Sequence, residues 1–268
     1  MAKININRFR KIVWGYYKKH KRSMPWRDDL SPYSIFISEV MLQQTQVSRV
    51  ITKYIEFKTT FPDFISLAKA NTKQLLRVWQ GMGYNRRALY LRSAAQVIEQ
   101  KYNGAFPSDV HLLDELPGIG LATASSIAAF AFNIPVVFIE TNIRRVFIHH
   151  FFSSSDKVHD NEILPLIKQA LDKKNAREWY WALMDYGAHL GTTIPNPNKN
   201  SRHYTKQARF TGSVRQVRGH ILRMLLEKPH TLSELKLLYP DDPRCERAIN
   251  GLVKEELIHQ DGDMFSVF

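Results

Sequence analysis

LPGIGLATASSIAAFAF, residues 116–132, is the stretch on which the reading of the fold turns. It continues from DVHLLDEL, residues 109–116, an octet with helical spacing of its apolar positions. Pro117, Gly118, Ile119 and Gly120 then make a tight turn, and a helix of small residues follows. Glycines let the backbone approach a phosphate, and the N–H groups at the first turn of the second helix, up to Thr123, point at the same place. Two helices joined in this way form a helix-hairpin-helix, which grips a nucleic-acid backbone without reading its sequence. An ordinary helix crossing is the competing reading. The LPGIG spacing with Thr-Ala after it favours the hairpin.

Working outward, VVFIETNIRRVFIHHF (residues 136–151) places Glu140 at the start of a helix. Free N–H groups there need an acceptor, so Glu140 reads equally as a helix-start residue or as a catalytic carboxylate. Upstream lies ISEVMLQQTQVSRV, residues 37–50, with one acid among apolar residues and amides at Gln43, Gln44 and Gln46. Helical periodicity from Ile35 to Phe57 predicts Glu39 and Gln43 one turn apart on one face, beside a Val40/Val47 stripe. From these residues alone, Glu39 reads as a buried, hydrogen-bonded core acid.

The rest of the chain repeats the helical pattern. Asn5 to Lys21 is amphipathic and basic, and further helices are predicted over Phe64–Ala70, Thr72–Gln80 and Arg86–Gln100, separated by the turns TTFPDF, GMGYN and YNGAFPSD. Strand-like alternation is nearly missing before the tail, so the class is all-α with short connections. Composition shifts at Gly191 into a basic loop that carries Lys199, Arg202, Lys206 and Arg209 and no acid. After it, SVRQVRGHILRMLLEKP, TLSELKLLY and DPRCERAINGLVKEEL predict three helices, and LIHQDGDMFSVF a hairpin turning at Asp261-Gly262. That order is the order of a winged helix-turn-helix, over residues 211–268.

Lys+Arg 38 against Asp+Glu 25 gives a formal charge of +13 and a pI near 9.8, a balance that suits a polyanionic partner. No run of about eighteen apolar residues is present for a membrane span, and charged residues occupy the N-terminus where a signal peptide needs an apolar core. A cytoplasmic protein, nucleoid-associated in a prokaryote, is expected. Cys245 is the single cysteine, which excludes an internal disulfide, a Cys-rich zinc site and a four-cysteine iron–sulfur cluster held by this chain alone.

Taken together, the ordered motifs resemble the helix-hairpin-helix (HhH-GPD) DNA glycosylase superfamily that includes endonuclease III, and within it the MutY-type adenine DNA glycosylases. The motifs are PWR at 25–27, PYSIFISEVMLQQTQV at 32–47, WQGMGYNRRALYL at 79–91, LPGIGLATA at 116–124, IETNIRRV at 139–146 and WALMDYGAHL at 181–190. The resemblance implies a two-lobed all-α fold: a six-helix lobe at about 24–135, a second lobe from 1–23 plus 136–210, and the winged helix after it. It implies that Glu39 is the general acid that protonates a flipped purine, with an apolar surround keeping its proton available. Gln43, Gln44 and Tyr84 match residues that wedge into the duplex or contact the opposite base. Trp26 and Arg27 match base-pocket residues, beside Ala122 and Asn142.

Three departures bear on what is inherited. The family's catalytic aspartate falls at Glu140, longer by one methylene, about 1.5 Å, where a misplacement near 1 Å can cost roughly a hundredfold in rate. Bifunctional relatives hold a Schiff-base lysine at the position of Ala122, so strand cleavage should be feeble. Beyond Leu190 the family places four cysteines for an iron–sulfur cluster, and Gly191 stands where the first would be; the basic loop is read as its metal-free replacement. The larger C-terminal module that inspects 8-oxoguanine is not expected in residues 211–268. The expected protein is thus a monofunctional glycosylase acting on duplex DNA with a mismatched or damaged base, on adenine opposite guanine or 8-oxoguanine. Thymine or uracil opposite guanine is the alternative substrate, and a lesion-binding sensor without catalysis is the alternative of another class. No metal ligand set and no cofactor are expected, save room for a sodium, potassium or magnesium ion at the hairpin. A monomer is the default.

Overall fold

The computed structural model describes residues 4–206 and 208–268. In chain order its helices begin α1 (Ile6–His20), α2 (Pro25–Asp28), α3 (Pro32–Leu42), α4 (Val47–Thr60), α5 (Phe64–Ala68), α6 (Thr72–Trp79) and α7 (Arg86–Tyr102). They continue with α8 (Val110–Asp114), α9 (Leu121–Phe132), α10 (Thr141–Phe151), α11 (Asp160–Ala170) and α12 (Ala176–Thr193). After a 3-10 turn at Pro197–Asn200 come α13 (Val214–Glu227), β1 (His230–Thr231), α14 (Leu232–Leu237), α15 (Pro243–Lys254), β2 (His259–Asp261) and β3 (Met264–Ser266). Among the described residues no helix is long and apolar enough to cross a membrane.

The chain divides into two compact units, one holding residues up to 39, 107–115 and 119–206, the other 40–106, 116–118 and the residues after 207. This partition differs from the expected six-helix lobe at 24–135, because it passes through α3 between Glu39 and Val40.

In the first unit, α12 packs against α1, α9 and α10. Phe9, Val13 and Tyr17 recur at helical spacing on α1 and are all buried, the pattern of an amphipathic helix laid on a core. The Phe9 ring sits 4.9 Å from that of Phe147 and 5.1 Å from that of Phe151, at tilted and edge-on angles that aromatic pairs favour. Arg10 adds a polar tie, donating from Nε to the Ala170 carbonyl at 2.9 Å and from Nη2 to Leu171 at 2.7 Å, where α11 ends. The basic loop leaves α12 after Thr193, later than the composition shift at Gly191 suggested. It is bound into the unit: Val158 N donates to Asn200 O at 2.8 Å and Arg202 N to Val158 O at 3.0 Å.

In the second unit, α5 and α6 pack on α7, and α4 on α6. The helix predicted over Ile35–Phe57 is two helices, since α3 ends at Leu42 and α4 starts at Val47. Gln43 therefore lies in a turn and not on the helix face that carries Glu39. The break has a cause: Gln44 takes φ +53, and the buried guanidinium of Arg87 draws off the last carbonyls of α3. In the C-terminal segment the three predicted helices are present, and β1, β3 and β2 form one antiparallel sheet in that order. The predicted hairpin turns at Gly262, φ +58. Arg77 on α6 donates to the Leu226 carbonyl in the last turn of α13 at 3.1 Å.

Candidate active site

Two carboxylates are brought together in the first unit. Glu39, half-buried on α3, meets Ser126 of α9, whose Oγ lies 2.5 Å from Glu39 Oε2 and 2.9 Å from the Thr123 carbonyl. A hydroxyl has one proton, so it donates to Glu39 when the acid is ionised. When Glu39 is protonated, the acid can donate to Ser126 and the serine turns its proton to Thr123. Burial pushes the Glu39 carboxyl up to about 7, against the Ser126 hydrogen bond and the Arg27 charge, and the charge of Glu140 adds to the rise. An acid that titrates near neutrality is suited to giving a proton away.

Glu140 is the N-cap of α10. Its Oε1 accepts from the backbone N–H of Asn142 and of Ile143, both at 2.8 Å, and its Oε2 accepts from Asn142 Nδ2 at 3.3 Å. The longer side chain has folded back over the first turn, a position that aspartate usually fills. Burial raises its pKa while the two N–H groups, Arg144 and Arg145 oppose the rise. These donors are fitted to an ionised carboxylate, so of the two acids Glu140 is the one arranged to carry charge. Both readings of Glu140 left open by the sequence are compatible with this geometry.

Arg145 and Asn198 hold the start of α10. Arg145 Nη1 donates to Asn142 Oδ1 at 2.8 Å and to the Gly187 carbonyl at 2.7 Å, and its Nε to Asn196 Oδ1 at 3.2 Å. Asn198, buried in the basic loop, donates to the Thr141 carbonyl at 2.9 Å. No cysteine is available in this loop, because Cys245 is buried in α15. A four-cysteine cluster does not fit these residues.

Trp26 and Arg27, expected in the base pocket, are both buried. Arg27 gives its guanidinium to Asp185 of α12 in a bidentate pair, 2.8 Å on each side, and Arg22 Nε adds a bond to Asp185 at 2.7 Å. Burial pushes the Asp185 carboxyl up, but these two arginines outweigh it and hold it below its ordinary value. Asp185→Asn is expected to lose about 3–5 kcal/mol of unfolding free energy in a urea titration, since Arg27 would stay buried without its counter-charge. Carboxylates with depressed pKa stabilise above their unfolded pKa, so wild type should lose this margin as pH falls into the acid range while the variant does not.

The hairpin is built as predicted. Gly118 takes φ +76, and a Cβ there would lie 2.6 Å from Tyr90 Cβ, so no other residue fits the turn. Pro117 is half-buried and Ile119 buried; Gly120 caps α9 and offers no side-chain acceptor, and Leu121, Ala122 and Thr123 form the first turn of that helix. Ala122 is exposed there. Lys199, Arg202, Lys206 and Arg209 are exposed as well.

The second unit carries the amide and aromatic turns. Gln43 is half-buried, Gln44 exposed, and Tyr84 is 41% exposed with φ +47. Beneath them lies Arg87, 8% exposed, whose guanidinium burial pulls down to about 10. Three groups escaped the sequence reading: Ser126, Asp185 and Arg87. Ser126 had a weak signal, as a hydroxyl on an otherwise apolar buried helix; the others had none beyond their charge.

Residues 37–168 match the HhH-GPD superfamily base excision DNA repair proteins. The adenine DNA glycosylase of Mycobacterium tuberculosis (strain CDC 1551 / Oshkosh) is 32% identical over 271 residues, covering 91% of this chain and 88% of that protein. That of Mycolicibacterium smegmatis is 32% identical, with 93% and 92% covered. Among solved structures, a thermostable thymine-DNA glycosylase aligns at TM-score 0.61 with 22% identity over 71% of this chain and 91% of its own. A non-covalent endonuclease III–DNA complex aligns at TM-score 0.61 with 17% identity, covering 72% and 90%. These two likenesses concern the fold.

Proposed function

Because the chain belongs to the HhH-GPD superfamily of base excision DNA repair proteins, and within it to the adenine DNA glycosylases, we propose that it hydrolyses the N-glycosidic bond of adenine opposite guanine or 8-oxoguanine in duplex DNA. The observation that carries this reading is the pair in the first unit: Glu39, bonded to the Ser126 hydroxyl and pushed up toward neutrality by burial, and Glu140, a carboxylate held by two backbone N–H groups.

Adenine is a poor leaving group as an anion. Glu39 gives its proton to a ring nitrogen as the bond to the sugar lengthens, so the base departs neutral. Positive charge then develops on the sugar, and Glu140, held by two backbone N–H groups, stabilises it electrostatically. Water adds to the sugar carbon and leaves its surplus proton to a carboxylate, giving an abasic site and free adenine. Ala122 offers no amine, so the strand stays intact and the enzyme is monofunctional. It works without an iron–sulfur cluster, the loop after α12 being fastened by Asn196 and Asn198 instead. The hairpin N–H groups and the basic loop hold the phosphate backbone, and the turns bearing Gln43, Gln44 and Tyr84 fill the space of the departed base.

The test is single-turnover incubation with end-labelled duplexes containing A:8-oxoguanine, A:G, T:G or U:G, with and without hot alkali. Alkali-dependent breakage of the adenine strand alone is expected. Breakage confined to thymine or uracil would replace the substrate, and tight binding with no breakage would leave a lesion sensor.

A further inference from the structure

We propose that Arg87 is a positioning residue that locks the turn at 43–46 and the turn at 81–85 into one rigid, two-tipped wedge, so that Gln44 and Tyr84 enter a duplex together. The inference rests on the base-removing reading, because a wedge matters only where a base leaves the stack.

Arg87 starts from the first turn of α7 and reaches both loops. Its Nη1 donates toward the carbonyls of Val40 at 2.8 Å, Met41 at 3.0 Å and Gln43 at 2.6 Å. Its Nη2 donates toward Thr45 Oγ1 at 2.9 Å, Gly83 O at 3.2 Å and Met82 O at 3.4 Å. No carboxylate is among these partners. The buried charge is met by the carbonyl end of α3, the negative pole of that helix, together with the loop carbonyls. A planar fork can serve two loops at once, whereas the ammonium of a lysine is a single point with three donors.

Both tips are held in a conformation that side chains rarely adopt, Gln44 at φ +53 and Tyr84 at φ +47. Such strain persists only where the surroundings over-determine it, and it gathers at functional sites. Here the surroundings are one guanidinium, the Trp79 ring 5.2 Å from Arg87 Cζ, and the Trp79 Nε1 bond to Gly83 O at 3.1 Å. Tyr84 lies against the same guanidinium, its ring 5.6 Å from that carbon and the residue 41% exposed. An exposed aromatic ring and an exposed amide, each fixed at a turn tip, have the shape and chemistry to replace an extruded nucleotide. Rigidity spares the protein the ordering cost at the moment of insertion.

The inference is tested with Arg87→Lys, which keeps the charge and loses the fork, and Thr45→Val, which removes one bond and leaves the charge in place. Near-UV circular dichroism and thermal melting check that each is folded. Excision is measured in single turnover on adenine opposite 8-oxoguanine and on adenine opposite an abasic-site analogue, where little extrusion work remains. For Arg87→Lys the first rate should fall about a hundredfold and the second no more than about fivefold. Thr45→Val should show the same asymmetry, with roughly a tenfold loss on the paired substrate. Fluorescence of 2-aminopurine at the target position, which rises as a base unstacks, should slow in step. Equal losses on both duplexes, or a Thr45→Val protein indistinguishable from wild type on both, would overturn the inference; should Arg87→Lys not fold, Thr45→Val decides alone. If wild type excises no adenine, the base-removing reading fails separately. The 2-aminopurine signal then judges the wedge, upheld by a rise that the variants lose and overturned by its absence in wild type.

Discussion

Glu39→Gln lowers single-turnover excision of adenine by about 10³- to 10⁴-fold while duplex affinity stays within about twofold, the expected outcome if Glu39 supplies the proton. Glutamine keeps the size and an acceptor for the Ser126 hydroxyl, so the loss reports the proton and not the packing. The pH profile gives the sign. The active form is the protonated acid, and burial with the Glu140 charge sets its titration at about 7. Wild-type rate should fall about tenfold for each pH unit above that value and fall also on the acid side as Glu140 takes up a proton, whereas the residual rate of Glu39→Gln should lack the alkaline fall. Stability moves the other way. A carboxyl whose pKa is raised by folding binds more protons folded than unfolded, so the native state loses stability as pH rises from the ordinary carboxylate range to 7. At pH 8 the glutamine variant should therefore melt at a higher temperature than wild type, the sign of an acid kept for catalysis at the expense of the fold. A lower melting temperature with unchanged turnover would return Glu39 to the status of a core acid.

Glu140→Gln is expected to cost about 10²- to 10³-fold in the same assay. The amide oxygen can still accept from Asn142 N and Ile143 N, so the cap on α10 survives and stability should change by less than about 1 kcal/mol. What disappears is the charge that meets the developing sugar cation. A second readout separates this from damage to the site. Glu140 is among the groups that raise the Glu39 pKa, so its neutralisation should move the fall in the pH–rate profile of Glu39 toward acid. A large rate loss with an unmoved profile would mean that the two carboxylates do not feel each other, and the paired-acid reading would fall with it.

What was legible in the sequence was whatever depends on local rules. The hairpin could be read because proline, glycine and small residues have few other uses at that spacing, and Gly118 at positive φ against Tyr90 bears the reading out. The pattern of α1 could be read for a similar reason, three buried residues on one face of an amphipathic segment. The break after Leu42 could not, since it is imposed by Arg87 from another helix and no residue of the motif announces it. Asp185 was hidden in the same way, its partner Arg27 being far away in sequence, as was the fastening of the basic loop through Asn196 and Asn198. Side chains that act across the fold leave no periodic trace.

The hydroxyl of Ser126 has a consequence for the interval between turnovers. An acid that has just surrendered its proton would ordinarily leave a buried charge and a donor out of place until it is reloaded. Here one rotation about the serine Cβ–Oγ bond serves both conditions, aimed at Glu39 when the acid is empty and at the Thr123 carbonyl when it is full. The serine hydroxyl thus has an acceptor whether the acid is empty or full, so the site need not be rebuilt between the two states.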